Sequence, residues 1–373
     1  MDENYLLNVQ AYGARGDGHT DDTLAIQRAM EASASTGAAV WLPMGVYRVG
    51  TLHVPSGVTL MGNASWGYSA FGLGNNQEAD GRDVVDPAIN GHTVLMPLRP
   101  EGRALMDLGG SRSVRIIGLS LDGDFMGVGM HGIYAGEGSA ELSFEDVRVC
   151  HFTGSAIRLQ GTRGFSLRRS LLIKNRRHAL DIGGSADGSV VDNQLAYNWG
   201  AGLYAKGEAG DGTWLGARNV TVIGNRIEGG YPGGVYAVNS SVLSLSGNSF
   251  DGCRAAGITL LGCDHCSATA NMTRIHGQRA EGDENCHIRM EYCRDCVLTG
   301  NTSWCWYQLL KQREDVKTGP LYGLVLRGLT RCVVSGNALH ECCHIDPVRD
   351  YGGHTDTLIE HNMGQAFDLA TLA

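Results

Sequence analysis

Proline is scarce in this chain of 373 residues, which has 8 prolines against 54 glycines. That balance excludes a collagen-like or proline-rich disordered protein and indicates many tight turns. No apolar run reaches the roughly 18 residues of a membrane-spanning helix, so no membrane partner is expected. Residues 1–7 lack the basic and apolar regions of a signal peptide. We therefore expect a cytoplasmic protein, or a secreted one if a leader has been removed.

An excess of positive charge is also absent, since the formal net charge is −9. The most basic stretch, residues 163–177, is too short to neutralise many phosphates and is read as a solvated edge. Nucleic acid is therefore not expected as a partner. No cofactor and no metal are predicted.

What the chain does contain is a short repeat, in which an apolar-x-apolar strand begins at Gly or Ala in every copy but one. The copies begin at Gly132, Ala156, Ala179, Gly202, Gly234, Gly257, His287 and Gly323. Successive copies are 24, 23, 23, 32, 23, 30 and 36 residues apart. This period is too short for a βαβ unit, and the repeats are too rich in Gly and Asn for helices. It predicts an all-β right-handed parallel β-helix.

We predict one domain over residues 1–373. Residues 1–50 form the N-terminal cap and first strands, 64–90 a long loop, 113–362 the regular coils, and 363–373 a C-terminal tail. A short helix over residues 24–30, N-capped by Thr20 or Asp21, would cover the open end of the coil. The long loop is expected to serve function or assembly.

A second repeat consists of asparagines, which mostly follow glycine and keep nearly the same spacing. These are Asn175, Asn193, Asn225, Asn248, Asn271, Asn301, Asn337 and Asn362. Stacked at one corner of each coil, they would hydrogen-bond from turn to turn. We interpret them as structural.

Eleven cysteines include two Cys-x-x-Cys pairs, Cys263 with Cys266 and Cys293 with Cys296. The pairs resemble zinc ligands, but both cysteines recur after 30 residues, the local coil spacing, and Cys332 follows Cys296 after 36. A ladder of reduced, buried thiols is therefore the favoured interpretation, with a metal site or disulfides as alternatives.

Residues between the apolar members of each strand should face outward. They are Tyr134, Arg158, Gln160, Asp181, Tyr204, Lys206, Tyr236, Thr259, Arg289, Glu291 and Arg327. Stacked at about 4.8 Å per coil, they would form a long surface stripe. Such a stripe suits a sugar chain, because sugars stack on aromatic rings and their hydroxyls bind Arg, Asp and Glu side chains through paired hydrogen bonds. The alternative is a sheet face that is merely solvated. The mixture of carboxylates favours a neutral sugar over an acidic one.

Within the stripe, Asp181 is the first candidate for acid–base catalysis, with His178, Arg158 and Tyr204 expected as neighbours. Glu291 beside Arg289 is the second carboxylate, and Asp192 is a reserve. Three insertions, residues 207–217, 276–286 and 305–320, are expected to wall the groove or to bridge subunits. Trp214 and Trp306 lie in or beside two of them as further substrate-binding candidates.

The opening segment resembles the N-terminal repeat of the pectate-lyase-like superfamily. From Gly132 onward, His131-Gly132-Ile133, residues 171–183, residues 262–267, Ile288-Arg289 and Leu321-Tyr322-Gly323 resemble glycoside hydrolase family 91. That resemblance implies a homotrimeric β-helix that forms or hydrolyses a cyclic fructose dimer with a carboxylate pair. One carboxylate of that pair aligns with Asp181, but the other aligns with Ser170, which has no carboxylate. Either Asp192 or Glu291 takes the place of the second carboxylate, or the reaction differs from that of the family.

Two other functions stay open. A polysaccharide lyase or epimerase would need cations that hold a uronate and a base such as Lys206, Tyr204 or His178. A glycan-binding module without catalysis would keep the aromatic stripe and tolerate the loss of Asp181.

Overall fold

The computed structural model describes residues 5–63, 92–206, 216–277, 280–305 and 319–366. The contacts divide the chain into two compact units, Met1–Arg177 and His178–Ala373. The single domain over residues 1–373 stays a prediction. The predicted loop over residues 64–90 and most of the tail, residues 367–373, lie outside the described residues.

The first unit is built from short strands and one α-helix, α1 (Thr23–Thr36). Its strands are β1 (Leu6–Asn8), β2 (Asp17–Asp21), β3 (Ala39–Trp41), β4 (Gly45–Val49), β5 (Leu52–His53), β6 (Thr59–Met61), β7 (Thr93–Pro97), β8 (Ala104–Asp107), β9 (Arg112–Ile117), β10 (Ser120–Asp122), β11 (His131–Ala135), β12 (Ala140–Glu145), β13 (Arg148–Cys150), β14 (Ile157–Leu159), β15 (Arg163–Arg168) and β16 (Leu171–Ile173).

Three parallel sheets run side by side in this unit. The first has the order β1-β3-β6-β9-β12-β15, the second β2-β4-β7-β10-β13-β16, and the third β5-β8-β11-β14. Each strand pairs with the strand one coil later in sequence, as Ile133 does with Ile157. This is the hydrogen-bonding pattern of a parallel β-helix.

The predicted N-terminal helix is present, but its start differs from the prediction. Thr20 belongs to β2, and the N-cap of α1 is Asp22, whose side chain does not cap the helix. The Asp22 carboxylate instead accepts hydrogen bonds from the backbone N–H groups of Arg15, at 2.7 Å, and Gly16, at 3.1 Å. Asp21 serves the first turn by accepting from the N–H of Thr23 at 3.0 Å.

The second unit repeats the same plan without an α-helix among its described residues. Its strands are β17 (Leu180–Asp181), β18 (Ala186–Val191), β19 (Gln194–Ala196), β20 (Leu203–Ala205), β21 (Arg218–Ile223), β22 (Arg226–Glu228), β23 (Val235–Val238), β24 (Ser241–Ser246), β25 (Ser249–Asp251), β26 (Ile258–Leu261), β27 (Ser267–Thr269), β28 (Met272–Arg274), β29 (Cys286–Glu291), β30 (Val297–Thr299), β31 (Thr302–Trp304), β32 (Tyr322–Arg327), β33 (Val333–Ser335), β34 (Asp346–Asp350) and β35 (Leu358–Glu360).

Its first sheet has the order β18-β21-β24-β27-β30-β33-β35 and its second β19-β22-β25-β28-β31. The third runs β17-β20-β23-β26-β29-β32-β34 and carries seven residues of the predicted stripe, namely Asp181, Tyr204, Tyr236, Thr259, Arg289, Glu291 and Arg327. Apolar residues of alternating positions, such as Leu203, Leu260 and Met290, are at most 1% exposed and fill the interior. The predicted all-β parallel β-helix is therefore confirmed. Among the described residues, no helix has the length and apolar character that a membrane crossing requires.

Stacked asparagines line one corner of the second unit from Asn193 to Asn362. The amide oxygen of Asn248 accepts from the backbone N–H of Asn225 at 3.0 Å and from its side-chain amide at 2.9 Å. Asn248 bonds to Asn271 in the same way, at 3.0 Å for both contacts. The prediction of a structural ladder is confirmed for this unit.

Asn175 does not belong to that ladder, which corrects the sequence interpretation. Its amide oxygen accepts from the N–H of Phe152 at 3.0 Å, a contact that serves a different corner. Ser170 takes the ladder role in the first unit, since its hydroxyl accepts from the N–H of Val147 at 3.1 Å and donates to the carbonyl of Arg168 at 2.7 Å. Ser170 is fully buried, which suits a structural corner residue.

The cysteines predicted as a ladder are all buried free thiols. The Sγ of Cys296 accepts from the N–H of Cys266 at 3.2 Å, and Cys332 in turn donates its N–H to the hydroxyl of Thr357 at 3.2 Å. At the end of the ladder, Thr357 thus accepts a backbone hydrogen bond as the cysteines do within it. The ladder supplies hydrogen-bond acceptors to backbone N–H groups.

Candidate functional site

A row of outward side chains crosses the third sheet of the second unit. Asp181 on β17 is opposite Tyr204 on β20, and Tyr204 is opposite Tyr236 on β23. All three are half-buried. The rings of Tyr204 and Tyr236 are stacked, with centroids 5.7 Å apart and an interplanar angle of 9°. Parallel pairing in register therefore places a stack of two tyrosine rings next to a carboxylate.

His178 extends this surface, because its ring stacks on Tyr204 at 4.0 Å and 14°. Its Nδ1 accepts a hydrogen bond from the backbone N–H of Ala201 at 3.0 Å. A neutral imidazole that accepts at Nδ1 carries its proton on Nε2. His178 is therefore arranged as an Nε2–H donor, and this contact makes it a poor general base.

Asp181 ends its strand beside a glycine turn, and its Oδ1 accepts from the N–H of Gly183 at 3.3 Å. That contact orients the carboxylate. We call Asp181, His178, Tyr204 and Tyr236 the aromatic–acid row.

The predicted stripe does not continue as open surface beyond Tyr236. Thr259, the next residue in register, is 3% exposed. Farther along, Val325 is fully buried although it is paired with Arg289 in an outward position, and it packs with Ala256 and Cys286. Part of the chain therefore covers the sheet at these coils.

Arg289 lies at this covered end and contacts two carboxylates. Its Nε and Nη2 donate to the two oxygens of Glu291, both at 3.1 Å, and its Nη1 lies 3.5 Å from Glu284. Glu291 is 3% exposed, so it is not on the surface where the sequence interpretation placed it. A buried carboxylate held bidentately by a guanidinium is a structural ion pair. Its predicted catalytic role stays a prediction.

Arg327 is paired with Glu291 in register and makes a similar contact one coil later. Its Nη2 donates to Asp283 at 3.0 Å, and its guanidinium lies 4.2 Å from the ring centre of Tyr351. The hydroxyl of Tyr351 donates to the same carboxylate at 2.6 Å. Arg327 is therefore held by protein groups rather than presented alone.

The first unit carries its own cationic cluster, around the buried His131. Burial, followed by the charges of Arg158 and Arg177, lowers the pKa of His131 to about 4. The imidazole is therefore neutral at pH 7, and its Nδ1 accepts from the N–H of Ser155 at 2.9 Å. Arg103 lies 3.9 Å from the ring centre of Tyr134. These guanidinium groups form a local positive patch on an otherwise acidic chain.

The remaining predicted residues lie at different places. Gln160 follows β14 in the first unit and is half-buried. Lys206 follows β20, is exposed, and forms an isolated bridge with Gly216. Asp192 is exposed at the turn between β18 and β19, which belong to the other two sheets rather than to the sheet of Asp181. Trp214 and Trp306 lie outside the described residues.

Two groups among the described residues could supply three ligands to a metal ion. They are Asp122, Cys150 and His151, all buried, and Asp264, His265 and Asp295. In the first group, Nδ1 of His151 lies 3.0 Å from Oδ1 of Asp122. Burial lowers the pKa of His151, but Cys150 and the bond with Asp122 raise it more, to about 10. The proton held there makes this group a buried ion pair.

Sequence reasoning missed Asp283 and Glu284, which hold Arg327 and Arg289. The available signal was the 30-residue spacing that marks residues 276–286 as an insertion. That spacing located the segment, but not the side chains that reach back to the sheet.

Comparisons with known proteins agree with the coiled architecture. The profile of the family described as rhamnogalacturonase A/epimerase, pectate lyase-like, matches residues 6–93. The right-handed β-helix region profile matches residues 131–271, and that of the periplasmic copper-binding protein NosD matches residues 207–363. Each match covers less than half of the chain, and the three agree with the parallel β-helix described above.

Among curated relatives, mannuronan C5-epimerase AlgE2 of Azotobacter vinelandii is 29% identical over 240 residues. The match covers 55% of this chain and 23% of the relative, so the chain spans under a quarter of that protein. The A-module of the epimerase AlgE4 from the same organism superposes with a TM-score of 0.60, 17% identity, and coverage of 97% and 100%. The adhesin PfbA of Streptococcus pneumoniae superposes with a TM-score of 0.67 and 12% identity. The match covers 96% of this chain and 92% of PfbA. The two structures share the fold alone.

Proposed function

We propose that this protein is an enzyme that acts on a uronate polysaccharide and moves the proton on the sugar carbon beside the carboxylate. The aromatic–acid row of the second unit is the observation that carries this proposal. Similarity to mannuronan C5-epimerases over about half of the chain supports it. Epimerisation is the favoured outcome, and elimination is the related alternative, because both begin with loss of the same proton.

The reaction sets three chemical requirements. The substrate carboxylate must be neutralised by hydrogen bonds or a cation, since negative charge builds up on it as the proton leaves. A base must take the proton, and an acid must return a proton to the opposite face of the sugar. Elimination shares the first step, but the bond to the neighbouring sugar then breaks and no proton returns to that carbon.

The row offers a group for each requirement. The Nε2–H of His178 would donate to the substrate carboxylate, in agreement with the tautomer that its backbone contact favours. Tyr204 and Asp181, opposite each other on paired strands, would exchange protons with the sugar carbon. Tyr236 would stack on the neighbouring sugar.

Fructosyl transfer or hydrolysis of a fructose anhydride is the less supported candidate. It needs a carboxylate pair, yet Ser170 is a buried corner residue and Glu291 is buried against Arg289. Asp192 lies on a turn between other strands. Among the described residues, none of these three candidates is placed to supply the second carboxylate that this chemistry requires. The expectation of a neutral sugar loses its basis for the same reason, because the stripe's other carboxylate is internally paired.

The test is incubation of the protein with polymannuronate, polygalacturonate and inulin in D₂O. Epimerisation would introduce deuterium beside the carboxylate and change the anomeric NMR signals of the polymer. Elimination would produce an unsaturated uronate that absorbs in the ultraviolet. We expect activity on a uronate polymer, reduced at least a hundredfold in Tyr204→Phe and Asp181→Asn, which is the usual size of acid–base effects.

Tyr197→Phe is the matched control, because it removes the same hydroxyl from a 52% exposed tyrosine at another corner of the second unit. It should retain activity. Full deuterium exchange by both Tyr204→Phe and Asp181→Asn would refute the site. A cyclic fructose product from inulin would favour the fructan reaction instead.

A further inference from the structure

The segment Gly282–Glu284, a short 3-10 turn before β29, contacts the sheet next to the aromatic–acid row. Glu284 accepts from the hydroxyl of Tyr231 at 3.1 Å and lies 3.5 Å from Arg289. Asp283 accepts from Arg327 at 3.0 Å and from the hydroxyl of Tyr351 at 2.6 Å. Two carboxylates on one turn thus engage two arginines on neighbouring strands.

The turn lies near the end of the row. Glu284 contacts Arg289, which is in register with Tyr236 two strands farther along the third sheet. Beyond Tyr236, Thr259 is covered. The exposed face therefore ends where the turn begins.

The arginines beneath the turn have the chemistry to bind uronates. Guanidinium groups bind carboxylates through paired hydrogen bonds, and Arg327 also stacks on Tyr351, as it could on a sugar. In this structure, Asp283 and Glu284 occupy the positions that substrate carboxylates would take. They would also repel an approaching polyanion.

We propose that Asp283 and Glu284 act as internal substitutes for substrate carboxylates and end the carbohydrate-binding face beside Tyr236. This inference rests on the proposed function, because it assumes a uronate substrate. The turn then determines chain-length specificity: sugars bind along the aromatic–acid row, and a longer chain gains nothing from Arg289 or Arg327.

The experiment measures dissociation constants of mannuronate oligosaccharides of increasing length by calorimetry, for the wild type and for Asp283→Asn/Glu284→Gln. The amides keep the size of the side chains and can still accept from Tyr231 and Tyr351, but they remove the negative charges beside Arg327 and Arg289. Arg289 stays paired with Glu291, so Arg327 is the arginine that becomes available to the substrate. We expect unchanged affinity for the shortest oligosaccharides that bind. Affinity should rise about tenfold for those long enough to reach Arg327, as one new charge-assisted pair would give.

Glu281→Gln/Glu341→Gln is the charge-matched control, since it removes two negative charges from exposed residues of the same unit. Thermal unfolding checks that every variant folds, and the single variants Asp283→Asn and Glu284→Gln provide the same test if the double variant does not. An equal gain at all lengths, or none, would overturn the inference while the uronate function stands. If no uronate bound to either protein, the proposed function would fail and the inference with it.

Discussion

Asn248→Ala tests the asparagine ladder of the second unit at a fully buried rung. Asn248 receives two hydrogen bonds from Asn225, and its own amide donates to the carbonyl of Val222 at 2.9 Å and to Asn271 at 3.0 Å. Alanine would leave the backbone N–H of Asn225 without its acceptor in the interior. The Val222 carbonyl and the Asn271 oxygen would each lose a donor.

The expected loss follows from those groups. A buried donor left without a partner costs about 1–3 kcal/mol, and each further lost hydrogen bond costs about 1 kcal/mol. Because Asn248→Ala removes four hydrogen bonds, one of them from the backbone N–H of Asn225, we expect it to lower the free energy of unfolding by about 4–6 kcal/mol. Asn248→Ser should recover part of this loss, because Ser170 shows that a hydroxyl at the equivalent corner can accept from the backbone.

The assay is urea unfolding followed by circular dichroism, combined with hydrogen exchange at the amide of Asn225. The exchange measurement is needed because an array of coils can unfold in parts. Faster exchange at Asn225 in the alanine variant, partly reversed by serine, is the expected result. A loss below about 1 kcal/mol with unchanged exchange would refute the reasoning, because the ladder would then contribute little more than an exposed contact.

Two further predictions concern buried groups outside the row. The folded pKa of His151, about 10, lies above its usual 6.5, so its contribution to stability is complete below pH 6.5 and is lost as the pH rises toward 10. Urea unfolding should show this slope in the wild type and in the exposed control His340→Gln. Asp122→Asn should weaken the slope, since Cys150 also raises this pKa, and should cost about 3 kcal/mol at pH 6. Cys266→Ser should keep the free energy of unfolding within about 1 kcal/mol of the wild type, because the hydroxyl can accept from the N–H of Leu243 as the thiol does at 3.4 Å. Cys266→Val should lower it more, since valine offers no acceptor. Equal stability of the two variants would show that the thiol serves packing alone.

The sequence predicted those features of the fold that repeat. Gly202, Gly234 and Gly257 each precede one of three successive strands, and the register between these strands follows from counting onward from each glycine. The alternation within each strand also placed Asp181, Tyr204 and Tyr236 in one row. A period is visible in a sequence because each coil meets the same steric demands.

Contacts made by residues outside the period were not predictable in this way. Glu284 reaches Arg289 from an insertion whose path depends on packing, and no spacing indicates where its carboxylate points. Thr259 and Glu291 alternate like surface residues, yet the covering chain buries them. Asn175 was misassigned for a related reason: its distance of 18 residues from Asn193 falls short of the period and already marked a different corner.

The division between inner ladders and outer row has a consequence for how such a protein can change. The hydrogen bonds that hold the coils together are made by buried side chains such as Asn248 and Cys296, while Tyr204 and Tyr236 point the other way. Substituting an outer residue leaves those bonds intact, and lengthening one insertion alters the outer face of the third sheet without changing the ladders. Descendants of one stable frame can therefore acquire different substrates through few mutations, and a protein engineer can redesign the outer row while leaving the frame untouched.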